Sequence, residues 1–307
     1  MLRWRLLLGT LLIAALVGLC ALDHRAGRHG VWLAPALFLF AVLATREILD
    51  LEAAAGMRPL GWVVYVGNLL VLASPWAPLL ARWWIGTAPG GSPGGGIPPQ
   101  GFPQPWLATS LACAMILAFV GEMVRYDKPG GATANLAATM FAVVYVGVLL
   151  QFVVHLRLQW GVAALGSLIV VVKAGDSGAY AVGRWIGRHK LAPRLSPGKT
   201  VEGALGAFAF ALIGSWATFR WLVPLVPPDG PGGSIGDTPW WGWIVFGVVV
   251  GGLGMLGDLA ESLLKRDGAR KDSSRWMPGF GGVLDVLDSI LLGAPAAYGC
   301  WYLGLVG

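Results

Sequence analysis

Apolar runs and short polar interruptions alternate along the whole chain. Runs long enough to cross a hydrocarbon core, which takes about 20 helical residues, fall at 4–22, 31–46, 60–81, 105–121, 132–154, 160–180, 203–223, 240–257 and 282–305. The predicted fold is therefore an all-α integral membrane protein, a polytopic bundle of about nine transmembrane helices. The run 31–46 is short and 160–180 ends in polar residues. Arg3 and Arg5 precede the first run as they would in a signal peptide, but no small-x-small cleavage site stands before Asp23 and eight further runs follow, so this segment is expected to be retained. Residues 88–104, rich in Gly and Pro and without charge, can form neither helix nor core and are expected to be an exposed loop. No internal repeat and no separate soluble domain is visible. Residues 1–120 make a transmembrane region of generic sequence, whereas 121–307 hold nearly all the polar patterning.

Composition agrees with lipid as the solvent. Of 307 residues, 56% are hydrophobic and 12% charged, half the charge density of ordinary soluble domains, about 25%. Mean hydropathy is +0.68. Disorder, collagen and a disulfide scaffold are excluded. Cys20, Cys113 and Cys300 each sit in an apolar run with no metal or disulfide spacing, and are expected to be packing residues. The net charge of +6 is explained by where it lies. The connection 184–202 carries Arg184, Arg188, Lys190, Arg194 and Lys199, and 258–281 carries Lys265, Arg266, Arg270, Lys271 and Arg275; 224–239 between them carries no Lys or Arg. Basic loops stay in the cytoplasm, which places both there, together with Arg125, Lys128 and the N-terminus. Arg25 and Arg28 in the loop 23–30 disagree with this count. Topology accounts for the basic excess, and nucleic-acid binding is not needed.

Charge is concentrated near the end of the chain. Asp258, Glu261, Lys265, Arg266, Asp267, Arg270, Lys271, Asp272, Arg275, Asp285 and Asp288 all fall within 258–288, and ionised groups near a bilayer tend to mark function. Asp285 and Asp288, at i and i+3, lie on one helical face. Two carboxylates that close repel unless a cation lies between them; the plainer reading is an acidic helix N-terminus, for which one Asp suffices. Upstream, Asp258, Glu261, Ser262 and Lys265 form one stripe, opposite Leu259, Leu263 and Arg266. Glu261 and Lys265 could simply pair at i, i+4 on an exposed helix; Asp258 has no such partner on its helix. Three aspartates from two helices suit a hard cation, and magnesium takes carboxylate oxygens together with waters and substrate phosphates. His24, His29, His155 and His189 are scattered outside the acidic block, which argues against zinc and against a Ser-His-Asp hydrolase.

The other basic connection reads KAGDSGAYAVGRWIGRHKLAPRLSPGKTVEG over 173–203. Asp176 follows a run of Leu, Ile and Val and is a further carboxylate near membrane depth. Gly183 and Gly187 offer a small-residue face that suits either a homodimer or packing within the chain. Ser196, Lys199, Thr200 and Glu202 surround Pro197 and Gly198. A P-loop is rejected because GxxxxGK[ST] lacks its first Gly here; the expectation is a turn that starts a helix, with free N–H groups and Lys199 able to hold an anion.

These residues resemble a known family. The segment 262–289, SLLKRDGARKDSSRWMPGFGGVLDVLDS, is similar to the signature of the phosphatidate cytidylyltransferases, or CDP-diacylglycerol synthases: Ser-x-x-Lys-Arg, four residues, Lys-Asp, then Pro-Gly-His-Gly-Gly and two Asp three apart. Ser262, Lys265, Arg266, Lys271, Asp272, Pro278, Gly279, Gly281, Gly282, Asp285 and Asp288 stand in register. The segment 176–203 looks like the family's other recurrent stretch. The likeness covers about the last 135 residues. Two positions depart: Phe280 stands where the pattern has His, and Val286 where it has Arg.

The resemblance implies transfer of the cytidylyl group of CTP to phosphatidic acid at the cytoplasmic side of the cell membrane, in a cavity open to lipid. It further implies Mg2+, with a second cation left open, on Asp258, Asp285 and Asp288, and Lys265 as a fixed positive charge beside it. Asp176, Ser196, Lys199, Thr200, Glu202, Ser262, Arg266, Lys271 and Asp272 are the implied substrate-binding residues. A related enzyme could use another acceptor, an archaeal ether lipid phosphate or a polyprenol. An ion-coupled transporter, which usually has paired halves with matching broken helices, suits this one-sided distribution poorly.

Overall fold

The computed structural model describes residues 2–26, 30–77, 105–226, 238–274 and 281–307. Among them nine helical rods follow in chain order: α1 (Leu2–Arg25), α2 (Ala34–Ala54), α3 (Gly61–Trp76), α4 (Pro105–Arg125), α5 (Ala132–Trp160), α6 (Val162–Ile186), α7 (Val201–Leu225), α8 (Gly242–Asp267) and α9 (Val283–Tyr302). Six of them, α4 to α9, are long and apolar enough to cross a membrane. The chain is a helical, polytopic membrane protein. The expected loop 88–104 and most of 224–239 lie outside the described residues, as do Arg275, Pro278, Gly279 and Phe280.

Several helices outrun the apolar stretches that announce them. α2 continues eight residues past position 46, where its apolar run ends, through Glu47, Asp50 and Glu52, and α8 continues through Asp258 to Asp267. Hydropathy marks the thickness of lipid, while the helix goes on wherever its polar residues face protein. Between α5 and α6 a single residue, Gly161 at φ +90°, turns the chain, a conformation open to glycine.

Close contact between helices rests on missing side chains. A Cβ on Gly178 of α6 would come within 2.6 Å of the Gly206 carbonyl of α7. Gly183 of α6 faces Thr200 and Gly203, and Gly187, just past the end of α6, faces Thr200, so this small-residue face is used inside the chain. Ile48, Leu51, Leu72, Leu150, Leu168, Phe246, Leu284 and Leu291 fill the core between the rods, while Val124, Trp185, Leu225 and Trp240 point outward, as lipid or its interface permits. Cys300 is buried and Cys113 faces outward on α4. Near the turn at Gly161, Arg157 pairs with Asp23 of α1 at 2.6 Å, both buried.

The connection 184–202 corrects the sequence reading. Where a turn starting a helix was expected, the helix does start at Val201, but Lys190–Ala192 and Ser196–Thr200 before it pair as the antiparallel hairpin β1–β2. Its last residue, Thr200, caps α7: its Oγ1 accepts from the Gly203 N–H at 3.1 Å, the expected role of a hydroxyl at that place.

Candidate active site

The charged residues gather where α6, α8 and α9 meet the hairpin. Gly257 sets the spacing: a Cβ there would strike the backbone carbonyl of Asp288, so only glycine lets α8 and α9 approach this closely. Asp258 is thereby placed beside the Asp288 turn, and one turn further along each helix stand Glu261 and Asp285. Two polar groupings result, stacked about 5 Å apart along the helices, the pitch of one turn.

The first contains Asp176, Lys199, Asp258 and Asp288. Lys199, at the end of β2, lies 2.7 Å from Asp258, and both side chains keep partial exposure. Asp258 therefore does have a partner, supplied by the hairpin rather than by its own helix. Asp288 is buried; its Oδ1 accepts the Ser289 N–H at 2.5 Å, and the charges of Asp258, Asp176 and Lys173 bear on it. The Ser289 hydroxyl donates to Asp176 at 3.3 Å. Lys173 donates to Asp176 at 2.9 Å and to the Val286 carbonyl at 3.3 Å.

The second grouping is more enclosed. Lys265 donates to Glu261 at 2.5 Å and to Asp285 at 2.6 Å. The Glu261–Lys265 pair anticipated on an exposed face exists, but Glu261 is wholly buried. The other oxygen of Asp285 accepts from the Ser273 hydroxyl at 2.6 Å, the Ser273 N–H at 3.2 Å and the Gly282 N–H at 2.7 Å. Asp285 thus caps its own helix.

A residue the sequence reading passed over completes this knot. Glu47 of α2, buried, accepts from the Val283 N–H at 2.9 Å, the Leu284 N–H at 2.8 Å and the Ser273 hydroxyl at 3.0 Å. These are free donors at the start of α9, where a negative charge is favoured. The available signal was a cluster of Arg46, Glu47, Asp50 and Glu52 closing an otherwise apolar run.

The remaining expected site residues divide. Ser262 is buried on α8 next to Glu261. Arg266 donates to the Leu195 carbonyl at 3.1 Å and so pins the hairpin to α8. Glu202 accepts from the N–H groups of Arg188 and His189 and from the His189 ring at 2.5 Å, which folds the connection before β1. Ser196 starts β2, while Lys271 and Asp272 lie in the exposed bend after α8.

Magnesium can be tested against this donor set. The sequence reading put Asp258, Asp285 and Asp288 on one ion, and the structure parts them. Both oxygens of Asp285 are taken by Lys265, Ser273 and Gly282, and among the described residues no three His, Cys, Asp or Glu side chains stand together as a cage. Asp258 and Asp288 remain, with Asp176 nearby. That suits magnesium held by one or two carboxylates with phosphates and waters completing its shell, and does not suit an all-protein cage.

Fold and site together define a membrane-embedded protein with carboxylates and ammonium groups collected at neighbouring helix turns. The chain belongs to the cytidylyltransferase family, whose model matches residues 3–303. It is similar to the phosphatidate cytidylyltransferase of Staphylococcus saprophyticus, 36% identical over 84% of this chain and 85% of that protein. Those of Bacillus subtilis (37% identical over 51% of this chain) and Haemophilus influenzae (38% over 44%) match more narrowly, and the alignments span 55% and 44% of those proteins.

Proposed function

We propose that the protein joins CTP to phosphatidic acid, giving CDP-diacylglycerol and pyrophosphate. The observation that carries this reading is the contact of Lys199 with Asp258, which brings the two motif-bearing segments to one place beside Asp288. The relatives' shared name supports phosphatidate over an ether lipid phosphate or a polyprenol as acceptor.

In the proposed reaction a phosphatidate oxygen attacks the α-phosphorus of CTP, the new P–O bond forms, and the bond to the β-phosphate breaks as pyrophosphate leaves. Both reactants are anions, so positioning and charge neutralisation are the main tasks. Lys199 is the cation that the hairpin brings to Asp258; Arg266 and Lys271 lie further out, where pyrophosphate or a headgroup could be met. A phosphate monoester has a second pKa of about 6 and is already nucleophilic near neutral pH, so no strong base is required. Asp258 and Asp288 would hold magnesium, which when bound would offset the triphosphate charge. Lys265, held between Glu261 and Asp285, keeps both acidic helices at a fixed distance.

The proposed setting is the cell membrane, with nine crossings, a cytoplasmic N-terminus and the hairpin side of the bundle facing the cytoplasm. The basic hairpin and the basic bend after α8 support that orientation. Gly183 and Gly187 are spent inside the chain, so a homodimer finds no support from them.

The test is direct. Purified full-length protein given labelled CTP, phosphatidate and magnesium should release one pyrophosphate per CDP-lipid formed, and chelation should stop the reaction until magnesium returns. Turnover with an ether lipid phosphate or a polyprenol but not with phosphatidate would replace the acceptor. No CTP consumption with any lipid would defeat the proposal.

A further inference from the structure

Lys173 stands at the twelfth position of the 25-residue α6, about 20 Å along the helix from its end at Ile186 by the rise per residue. An ammonium at the middle of a membrane-length helix is costly and usually functional. Its side chain is 41% exposed and that of its partner Asp176 is 37% exposed, so the pair is accessible rather than enclosed in the core. Nothing in the motif reading assigns Lys173 a role.

Its position is informative. Nζ lies 3.3 Å from the backbone carbonyl of Val286, one turn of α9 below Ser289, and its charge bears on Asp288. Val286 is the place where the resembling pattern carries Arg. α9 carries no cation there in this chain, and the Lys173 ammonium of α6 lies against the backbone carbonyl of that same residue. Asp176 and the Val286 carbonyl occupy two of the ammonium's three donors, which leaves one for a ligand.

We propose that Lys173 replaces that arginine: it holds a phosphate group of a substrate at the deep end of the polar site, beside Asp288. This rests on the reading of the protein as a CTP-dependent lipid enzyme. The phosphate could belong to the nucleotide or to the lipid, and kinetics with each varied alone distinguishes them.

The experiment uses full-length protein in lipid nanodiscs. Lys173→Met keeps the apolar stem and removes the charge. It should lower kcat/KM for one of the two substrates by about 10- to 100-fold, the loss of a charge-assisted hydrogen bond, and Lys173→Arg should stay within about fivefold of the parent. Adding Val286→Arg to Lys173→Met should recover at least about tenfold. Full activity in Lys173→Met overturns the proposal. So does a Val286→Arg change that recovers nothing, whatever the cause of the first loss. If the parent protein fails with phosphatidate, the acceptor assignment falls instead. Lys173 is then judged by protection of the protein from heat by CTP or pyrophosphate, which Lys173→Met should weaken and Val286→Arg restore; equal protection in all three overturns it.

Discussion

The ammonium of Lys199 lies 2.7 Å from the carboxylate of Asp258, a contact between a hairpin strand and a membrane helix. The Lys199 ammonium is covered, but the Asp258 side chain is partly exposed and can be solvated on its own, so the pairing contributes little to stability, about 0–1 kcal/mol. Lys199→Met is expected to leave the thermal midpoint nearly unchanged and to lower kcat/KM for CTP by about 10- to 150-fold, the range for one charged hydrogen bond. Kinetics on the purified variant, with a melting curve beside it, checks both halves.

Lys265 behaves differently because it is buried between two carboxylates. Lys265→Met would strand Glu261 and Asp285 without a counter-charge, at about 3–5 kcal/mol. The triple change Glu261→Gln, Lys265→Met, Asp285→Asn should regain most of the stability while activity stays absent. Denaturation in detergent reads the first effect and CTP turnover the second.

Glu47→Ala should cost about 1–2 kcal/mol through loss of the helix cap and should impair turnover although the residue lies outside both motifs. Glu47→Gln keeps a carbonyl acceptor for the α9 amides and should fall between parent and Ala. Equal activity in all three would show that α9 is held without it.

Gly257→Ala drives a methyl group into the Asp288 carbonyl. Overpacking of this kind costs about 1–3 kcal/mol, but a shift of about 1 Å at the reacting groups can cost roughly 100-fold in rate. Activity is therefore expected to fall much further than stability, as melting and turnover measured on one preparation will reveal.

How much of this was legible in the sequence follows from the range of each interaction. Membrane helices satisfy their own backbone, so composition alone marks them, and α4 to α9 fall on the apolar runs. The i, i+4 pair of Glu261 with Lys265 and the capping role of Thr200 are equally local. Lys199 with Asp258 could be suspected only because both carry charge in polar segments. The hairpin was missed because its strands are short and rich in Pro and Gly. Glu47 was missed because its partners, Ser273 and the first amides of α9, are backbone or neutral groups that no charge pattern announces. Asp285 stands out by its spacing from Asp288, yet its two oxygens serve Lys265, Ser273 and Gly282, which spacing cannot disclose.

The Glu47–Val283 hydrogen bond joins residues 236 positions apart. Ribosomes add roughly 5–20 residues per second, so roughly ten to fifty seconds separate synthesis of this carboxylate from synthesis of the amide it will meet. Among the described residues, every helix except α9 is already made by then. A polypeptide interrupted before α9 would leave Glu47 and Lys265 without the partners this rod brings them, and the knot untied.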